Sequence, residues 1–327
     1  MKISIAMCTY NGERYIAEQI RSILNQTLKP DEILICDDLS TDNTKNILKD
    51  FASKYPNIKL IFNEKNLGFV KNFEKAISLC SGEIIFLSDQ DDVWEKEKIE
   101  KMIDAFRQFP KKSYIFSNAD AFNENKKLNY TLWDSVNFNS EKQRKFNDGY
   151  QKEQLLRNSF IYGSTLAFRA NFKKHILPIS SEFYHDNWIV LILSFLDNNA
   201  GKFIPESLIK YRVHSSQSIG LPTNKKWLRF FRDFNNLRQS HKKGFEKKIR
   251  MLSDLKIFLE TNKILTQKNR TYLDELLYFF SERNRMYEVS KGKRIKMIFW
   301  LYKNNFYKKY STSNWVTLKD IIQKVIL

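Results

Sequence analysis

Three carboxylates within four residues, Asp89, Asp91 and Asp92, follow directly on the apolar run Ile84, Ile85, Phe86 and Leu87. No lysine or arginine stands among them. Carboxylates gathered at the end of a buried strand repel one another unless a cation sits between them, and hard oxygen ligands suit Mg2+ or Mn2+. The open end of an α/β sheet is also where nucleotides bind. The chemistry implied is a metal-assisted reaction on a diphosphate. A solvated acidic loop capping a helix from near Val93 is the alternative that these residues leave open.

Four other places carry reactive residue types. Asp37 and Asp38 end a second apolar stretch, where a turn with a capping network accounts for them as well as ligand contact does. Asp186 stands among Phe183, Tyr184, Trp188 and the apolar run 189–193. Apolar surroundings raise a carboxylate toward the range of a general base, although a helix cap uses the same residue. Gly163 and Ser164 precede a strand and let a ligand approach the main chain, or form a plain turn. Arg212, His214 and Gln217 follow a later strand, and His214 reads either as a metal or diphosphate contact or as a surface hydrogen bonder.

The elements that must position these groups alternate. Strands are expected at 3–9, 32–36, 58–62 and 83–87, and helices at 13–25, from a Ser40 or Thr41 cap to about Tyr55, and at 68–80. Such alternation gives βαβ units and a mostly parallel sheet flanked by helices. After the first strand stands Thr9-Tyr10-Asn11-Gly12-Glu13 instead of a glycine-rich dinucleotide fingerprint, which argues against a nicotinamide or flavin enzyme.

Charge divides the chain. Residues 1–221 hold 30 Lys and Arg against 28 Asp and Glu, whereas residues 222–327 hold 25 against 9. The break near Pro222 predicts a balanced domain over 1–221 and a basic helical extension over 222–327. Trp227, Phe230, Phe231, Phe234 and Leu237 form one helical stripe there, flanked by Lys225, Lys226, Arg229, Arg232 and Arg238. Leu273, Leu276, Leu277 and Phe280 form a second. Ile295, Ile298, Phe299 and Tyr302 form a third, with Lys291, Lys293, Arg294, Lys296, Lys303, Lys308 and Lys309 around it. A small bundle with solvated lysines explains this pattern, and so does attraction to an anionic membrane surface.

Of the 327 residues, 42% are hydrophobic and 14% aromatic, which excludes a disordered chain. No window approaches the roughly 18–20 apolar residues of a membrane-spanning helix. The first residues lead straight into a strand, so no signal peptide is expected. Cys8, Cys36 and Cys80 read as buried hydrophobes in a reducing compartment.

An ordered set of motifs resembles the family 2 glycosyltransferases of the GT-A fold, in particular their bacterial rhamnosyltransferase-like branch. The set comprises Thr9-Tyr10-Asn11-Gly12, Ser22-Ile23-Leu24-Asn25-Gln26, Asp37-Asp38 with Ser40-Thr41-Asp42, and Asn66-Leu67-Gly68. It continues through Gly82-Glu83, Asp89-Gln90-Asp91-Asp92-Val93-Trp94, Gly163-Ser164-Thr165-Leu166-Ala167-Phe168, His185-Asp186-Asn187-Trp188 and Tyr211-Arg212-Val213-His214. The likeness covers about residues 1–220 and nothing after them.

This resemblance implies a metal-dependent, inverting transfer of a sugar from a nucleoside diphosphate to a hydroxyl of a glycan or lipid-linked acceptor, in bacterial surface polysaccharide assembly. It implies Mn2+ or Mg2+ held by Asp91, with Asp89 facing the ribose or the metal, His214 as a further ligand and Asp92 in support. It places Asp186 as the base. Thr9, Tyr10, Asn11, Asp37, Asp38, Asn66, Gln90, Gly163, Ser164, Trp188 and Arg212 would surround the donor. A cytoplasmic enzyme resting on the inner face of the membrane fits this reading. A non-catalytic nucleic-acid- or membrane-binding protein on the same fold would explain the basic extension. It leaves the acidic cluster unexplained, so no nucleic-acid partner is expected. A nucleotidyltransferase would need a glycine-rich, lysine-containing first loop, which is absent.

Overall fold

The computed structural model describes residues 1–123, 126–214, 234–311 and 316–321. The chain forms two compact units, Met1–Pro222 and Thr223–Leu327.

The first unit is built on a nine-stranded sheet in the order β3-β2-β1-β4-β8-β6-β9-β5, with β7 paired to β6. Strand β1 (Ile3–Thr9) is buried along its whole length, as are β2 (Glu32–Asp37) and β4 (Ile84–Ser88). Burial on both faces is what parallel strands covered by helices require, and it explains their continuous apolar runs. At the edge, β3 (Ile58–Phe62) is only partly buried. These four strands are parallel. The chain builds outward from β1 to β3 and then returns to the other side of β1 with β4. The reversal of strand order therefore falls between β1 and β4, where crevices for ligands open at strand C-termini.

Helices α1 (Ile16–Leu24), α2 (Thr44–Lys54) and α3 (Phe69–Leu79) make the crossovers. Helix α1 buries Ile16, Ile20 and Ile23, and α3 buries Phe73, Ala76 and Ile77, each at helical spacing. The expected Ser40 or Thr41 cap is corrected: α2 begins at Thr44, because the Ser40 hydroxyl is engaged with Asp37 instead. No helix starts at Val93 either. Val93–Trp94 is the short strand β5, paired antiparallel with β9, and helix α4 begins at Lys98 and ends at Gln108.

Beyond β4 the sheet is mixed. Strand β8 (Leu166–Arg169) lies antiparallel between β4 and β6 (Tyr114–Asn123), to which β7 (Lys126–Thr131) adds as a hairpin. Strand β9 (Gly201–Arg212) runs parallel to β6 with two register shifts. That path carries Arg212 and His214 back to the acidic loop, a return no local signal encodes. The helix His185–Leu196 is apolar almost all round, as a buried helix must be, and its first turn carries Asp186. Cys8, Cys36 and Cys80 are buried and free.

Among the described residues, the second unit contains helices Phe234–Thr261, Gln267–Arg285, Lys291–Lys303, Phe306–Tyr310 and Val316–Ile321. Its core includes Leu252, Leu255, Leu259, Leu273, Leu276, Phe279, Ile298, Leu301 and Tyr310. Arg283 donates two hydrogen bonds, of 2.7 and 2.9 Å, to the buried Asp320 carboxylate, which also accepts one of 2.8 Å from the Tyr307 hydroxyl. Gln217, Trp227, Phe230 and Phe231, with Lys225, Lys226, Arg229 and Arg232, lie outside the described residues. Of the third expected stripe, only Ile298 is buried.

Candidate active site

Residues that lie far apart in the sequence are joined pairwise at the C-terminal ends of β1, β2 and β4. The Thr9 hydroxyl donates to the Asp37 carboxylate at 2.9 Å, and Asp37 also accepts from the Ser40 amide and hydroxyl at 2.9 and 2.5 Å. Ser40 in turn accepts from the Asn11 amide at 2.9 Å, while the Asn11 side chain accepts from the Thr41 amide at 2.8 Å. Asn11 holds φ 48°, a left-handed turn that asparagine tolerates. Asp38 accepts from the Leu67 and Gly68 amides at 2.8 and 2.9 Å and from the Asn63 side chain at 2.9 Å. The Asn66 amide group donates to the Asp38 carbonyl at 3.1 Å. Both aspartates are therefore buried organisers of the loops that rim the crevice.

Gln90 pins the first loop to the acidic one. Its side chain accepts from the Tyr10 amide at 2.8 Å and donates to the Tyr10 carbonyl at 3.0 Å, leaving the Tyr10 ring half exposed. A Cβ at Gly12 would lie 2.4 Å from Gln90 Oε1, so a larger residue there would displace Gln90 from Tyr10.

The acidic loop itself is held from below. Asp92 is fully buried; Oδ1 accepts from the Arg212 amide at 3.1 Å, and among the described residues Oδ2 has no hydrogen-bond partner within the normal limits. Arg212 donates from Nε to the Asp91 carbonyl at 2.8 Å and from its guanidinium to Glu18 at 2.5 Å, between the rings of Tyr15 and Phe122. Arg212 is thus a brace under the loop; its burial and these bonds correct the expectation that it faces the donor. His214 Nε2 lies 2.9 Å from Asp91 Oδ2, with both side chains still partly open to solvent.

Lys98, which sequence reasoning missed, is fully buried beneath the cluster. Its ammonium donates to the Ser164 carbonyl at 2.6 Å and sits 3.5 Å from the centre of the Trp94 ring. It belongs to the run Glu95-Lys96-Glu97-Lys98, which reads as a solvated face, and nothing in that run marks it. The cluster without internal cations is therefore a property of the local sequence only. In the fold, Lys98 and Arg212 both serve it.

The electrostatics follow from burial and like charge. Burial, with Asp92, Asp91 and Asp186 adding to it, pushes the Asp89 carboxyl well above its usual range. Asp92 is pushed up to about 7 by burial and by Asp91, against the Ser164 hydroxyl and the Arg212 amide. Burial drives Lys98 well below its ordinary value, opposed by Asp92 and Asp89.

Across the crevice, Asp186 is partly buried and pushed up to about 6 by burial, against the amides of Asn187 and Gly163. The Asn187 amide donates to Asp186 at 2.6 Å. The helix is not capped by this side chain; its N-cap is Tyr184. His185, beside it, is buried and stacks on Phe73 at 3.8 Å, and among the described residues neither ring nitrogen has a hydrogen-bond partner. Burial pushes its imidazole down to about 3. Gly163 must stay small, because a Cβ would meet His185 Nε2 at 2.8 Å. Trp188 is corrected: it is fully buried, packed on Phe183 with its indole donating to the Ile176 carbonyl at 2.8 Å, and is a core residue. Ser164 is likewise buried, its carbonyl taken by Lys98.

Among the described residues no group of three His, Cys, Asp or Glu side chains is placed to hold a metal ion by itself. The donor set still fits a hard divalent cation. Asp91 and His214 present one carboxylate oxygen and one imidazole nitrogen at the rim, and crowded carboxylates lie beside them. Mg2+ sites of this type use one or two carboxylates and complete their shell with water and substrate phosphates.

A strand reversal opening onto paired loops, an acidic cluster at the end of β4 and a carboxylate opposite define a glycosyltransferase of the GT-A type. The crystal structure of S. aureus TarS 1-349 in complex with UDP superposes with a TM-score of 0.53 at 18% identity, covering 99% of this chain and 81% of that one. Residues 4–176, more than half of the chain, match the family described as Glycosyl transferase family 2, and the protein belongs to it. It is 42% identical over 124 residues to the dTDP-rhamnosyl transferase RfbG of Shigella flexneri, a match spanning 36% of this chain and only 40% of RfbG. It is 30% identical over 217 residues to WfgD of Escherichia coli, a UDP-Glc:alpha-D-GlcNAc-diphosphoundecaprenol beta-1,3-glucosyltransferase, spanning 65% of this chain and 78% of WfgD.

Proposed function

We propose that this protein transfers a sugar from a nucleoside diphosphate to an acceptor hydroxyl with inversion at the anomeric carbon. The observation that carries the reading is the convergence of Asp186 and the acidic loop on one crevice, close enough for the charge of Asp186 to act on Asp89. The acceptor oxygen attacks the anomeric carbon as the bond from that carbon to the phosphate oxygen breaks. The hydroxyl proton passes to Asp186, and the electron pair leaves with the nucleoside diphosphate. A carboxylate raised to about 6 is ionised at neutral pH yet basic enough to take that proton.

Asp91, with His214 and Asp89, would hold Mn2+ or Mg2+. Bound there, the ion supplies Lewis-acid stabilisation of the departing diphosphate. Asp37, Asp38 and Asn66 fix the loops that, with Thr9, Tyr10 and Asn11, receive the nucleoside. Gly163 lends its main chain beside the base. RfbG and WfgD support a dTDP- or UDP-sugar as donor, and WfgD supports a lipid-linked acceptor; the reaction we propose belongs to surface polysaccharide assembly on the cytoplasmic side of the membrane.

A thermal-shift screen of UDP-, dTDP- and GDP-sugars with and without Mn2+ tests the reading. A shift that needs both one nucleotide and the metal supports it and names the donor class. No shift with any donor overturns it.

A further inference from the structure

We infer that helix Lys291–Lys303 is an interfacial element whose solvent-facing half rests on an anionic phospholipid bilayer. This rests on the second unit alone and is independent of the transfer chemistry. The helix turns Ile298 and Leu301 into the core, at 5% and 1% exposure. On the other side Ile295, Phe299 and Tyr302, spaced i, i+4 and i+7, are 53%, 65% and 64% exposed. One turn on from Lys296, Trp300 is 45% exposed while braced by the rings of Tyr278 and Phe306. Three bulky hydrophobes aligned on a solvated face are costly in water and mark a surface that meets something apolar.

Charge says what that surface meets. Lys291, Lys296 and Lys303 are exposed beside this stripe, and among the described residues none is in an ion pair. No acidic residue occurs from 289 to 319. An apolar stripe interleaved with free lysines matches the boundary between acyl chains and phosphates: the rings and Ile295 enter the hydrocarbon edge while the lysine stems snorkel to the headgroups. Nucleic acid would use the lysines but would leave Ile295 unused.

Co-sedimentation of the full chain with vesicles of phosphatidylglycerol and of phosphatidylcholine tests this, with single-stranded DNA as competitor. Binding is expected to phosphatidylglycerol and to weaken with salt. Ile295→Ser with Phe299→Ser should weaken it roughly tenfold. Lys296→Gln with Lys303→Gln should weaken it about thirtyfold, at about fivefold per cation. Both pairs are on the surface, so an unchanged melting temperature verifies the fold in each. Undiminished vesicle binding by the serine variant overturns the inference, as does equal binding to both lipids. Stronger binding to DNA that ignores the serine substitutions would make the surface a nucleic-acid site instead.

Discussion

The two units break opposite rules. The first buries charge: Asp92, Lys98 and Arg212 sit inside, and one oxygen of Asp92 has no hydrogen-bond partner within the normal limits among the described residues. The second exposes hydrophobes: Phe299 and Tyr302 face solvent while lysines surround them. The second unit also buries an ion pair, Arg283 with Asp320, but that pair is bidentate and completed by Tyr307. The comparison separates two kinds of buried charge. A satisfied network specifies packing, whereas a crowded one, with carboxylates pushed up in pKa, is poised for a ligand.

The sharpest way to break the comparison is Asp186→Asn. Transfer should fall roughly 10^2- to 10^4-fold, with donor binding retained in a thermal-shift assay. Unchanged turnover would leave Asp186 as a structural residue. Because its folded pKa is raised above the ordinary carboxylate value, the fold binds this proton more tightly than the unfolded chain does. Stability is therefore lost as pH rises through about 4 to 6, and the asparagine variant should melt higher at neutral pH, by roughly 1–2 kcal/mol. Equal melting of the two proteins at pH 7 would contradict the burial argument.

Arg283→Met in the second unit should cost about 3–5 kcal/mol, since it strands the buried Asp320 carboxylate. Denaturant melts give that number, and transfer measured on the folded fraction should not change. Asp91→Ala comes next: transfer should fall roughly 10^2- to 10^3-fold, and the remaining rate should no longer respond to EDTA, which is expected to silence the wild type. A variant still stimulated by Mn2+ would remove Asp91 from the metal. The pH profile of the wild type should lose rate roughly tenfold per unit below about 6, as Asp186 takes a proton. Smallest is Lys98→Met, which keeps the length of the side chain but gives up the bond to Ser164. About a tenfold loss in transfer is expected with little change in stability, because removing a buried charge offsets the lost hydrogen bond. Full activity in this variant would make Lys98 a packing residue only.

Much of the first unit was legible. The apolar runs 3–9 and 84–87 fell where β1 and most of β4 lie, because parallel strands buried on both faces write their burial into consecutive residues. The acidic cluster and Asp186 were legible as residue types in apolar settings. Helix starts were less so. Ser40 read as a cap because its type suits one, yet the tertiary position of Asp37 recruits its hydroxyl. The family resemblance placed Trp188 around the donor, two residues from Asp186, but a helix turns residues two apart onto different faces, and this one faces the core.

By itself the sequence determined the alternating elements, the acidic loop at a strand end, the candidate base before an apolar helix and the basic composition of residues 222–327. All of these are local, carried by residue type and by periods of two or 3.6. Only the tertiary structure decided which charges meet. Lys98 reaches the Ser164 carbonyl across 66 positions, and His214 reaches Asp91 across 123. It also decided that Phe299 and Tyr302 face out while Ile298 faces in, since an amphipathic pattern says that a helix has two sides but not which side its neighbours cover.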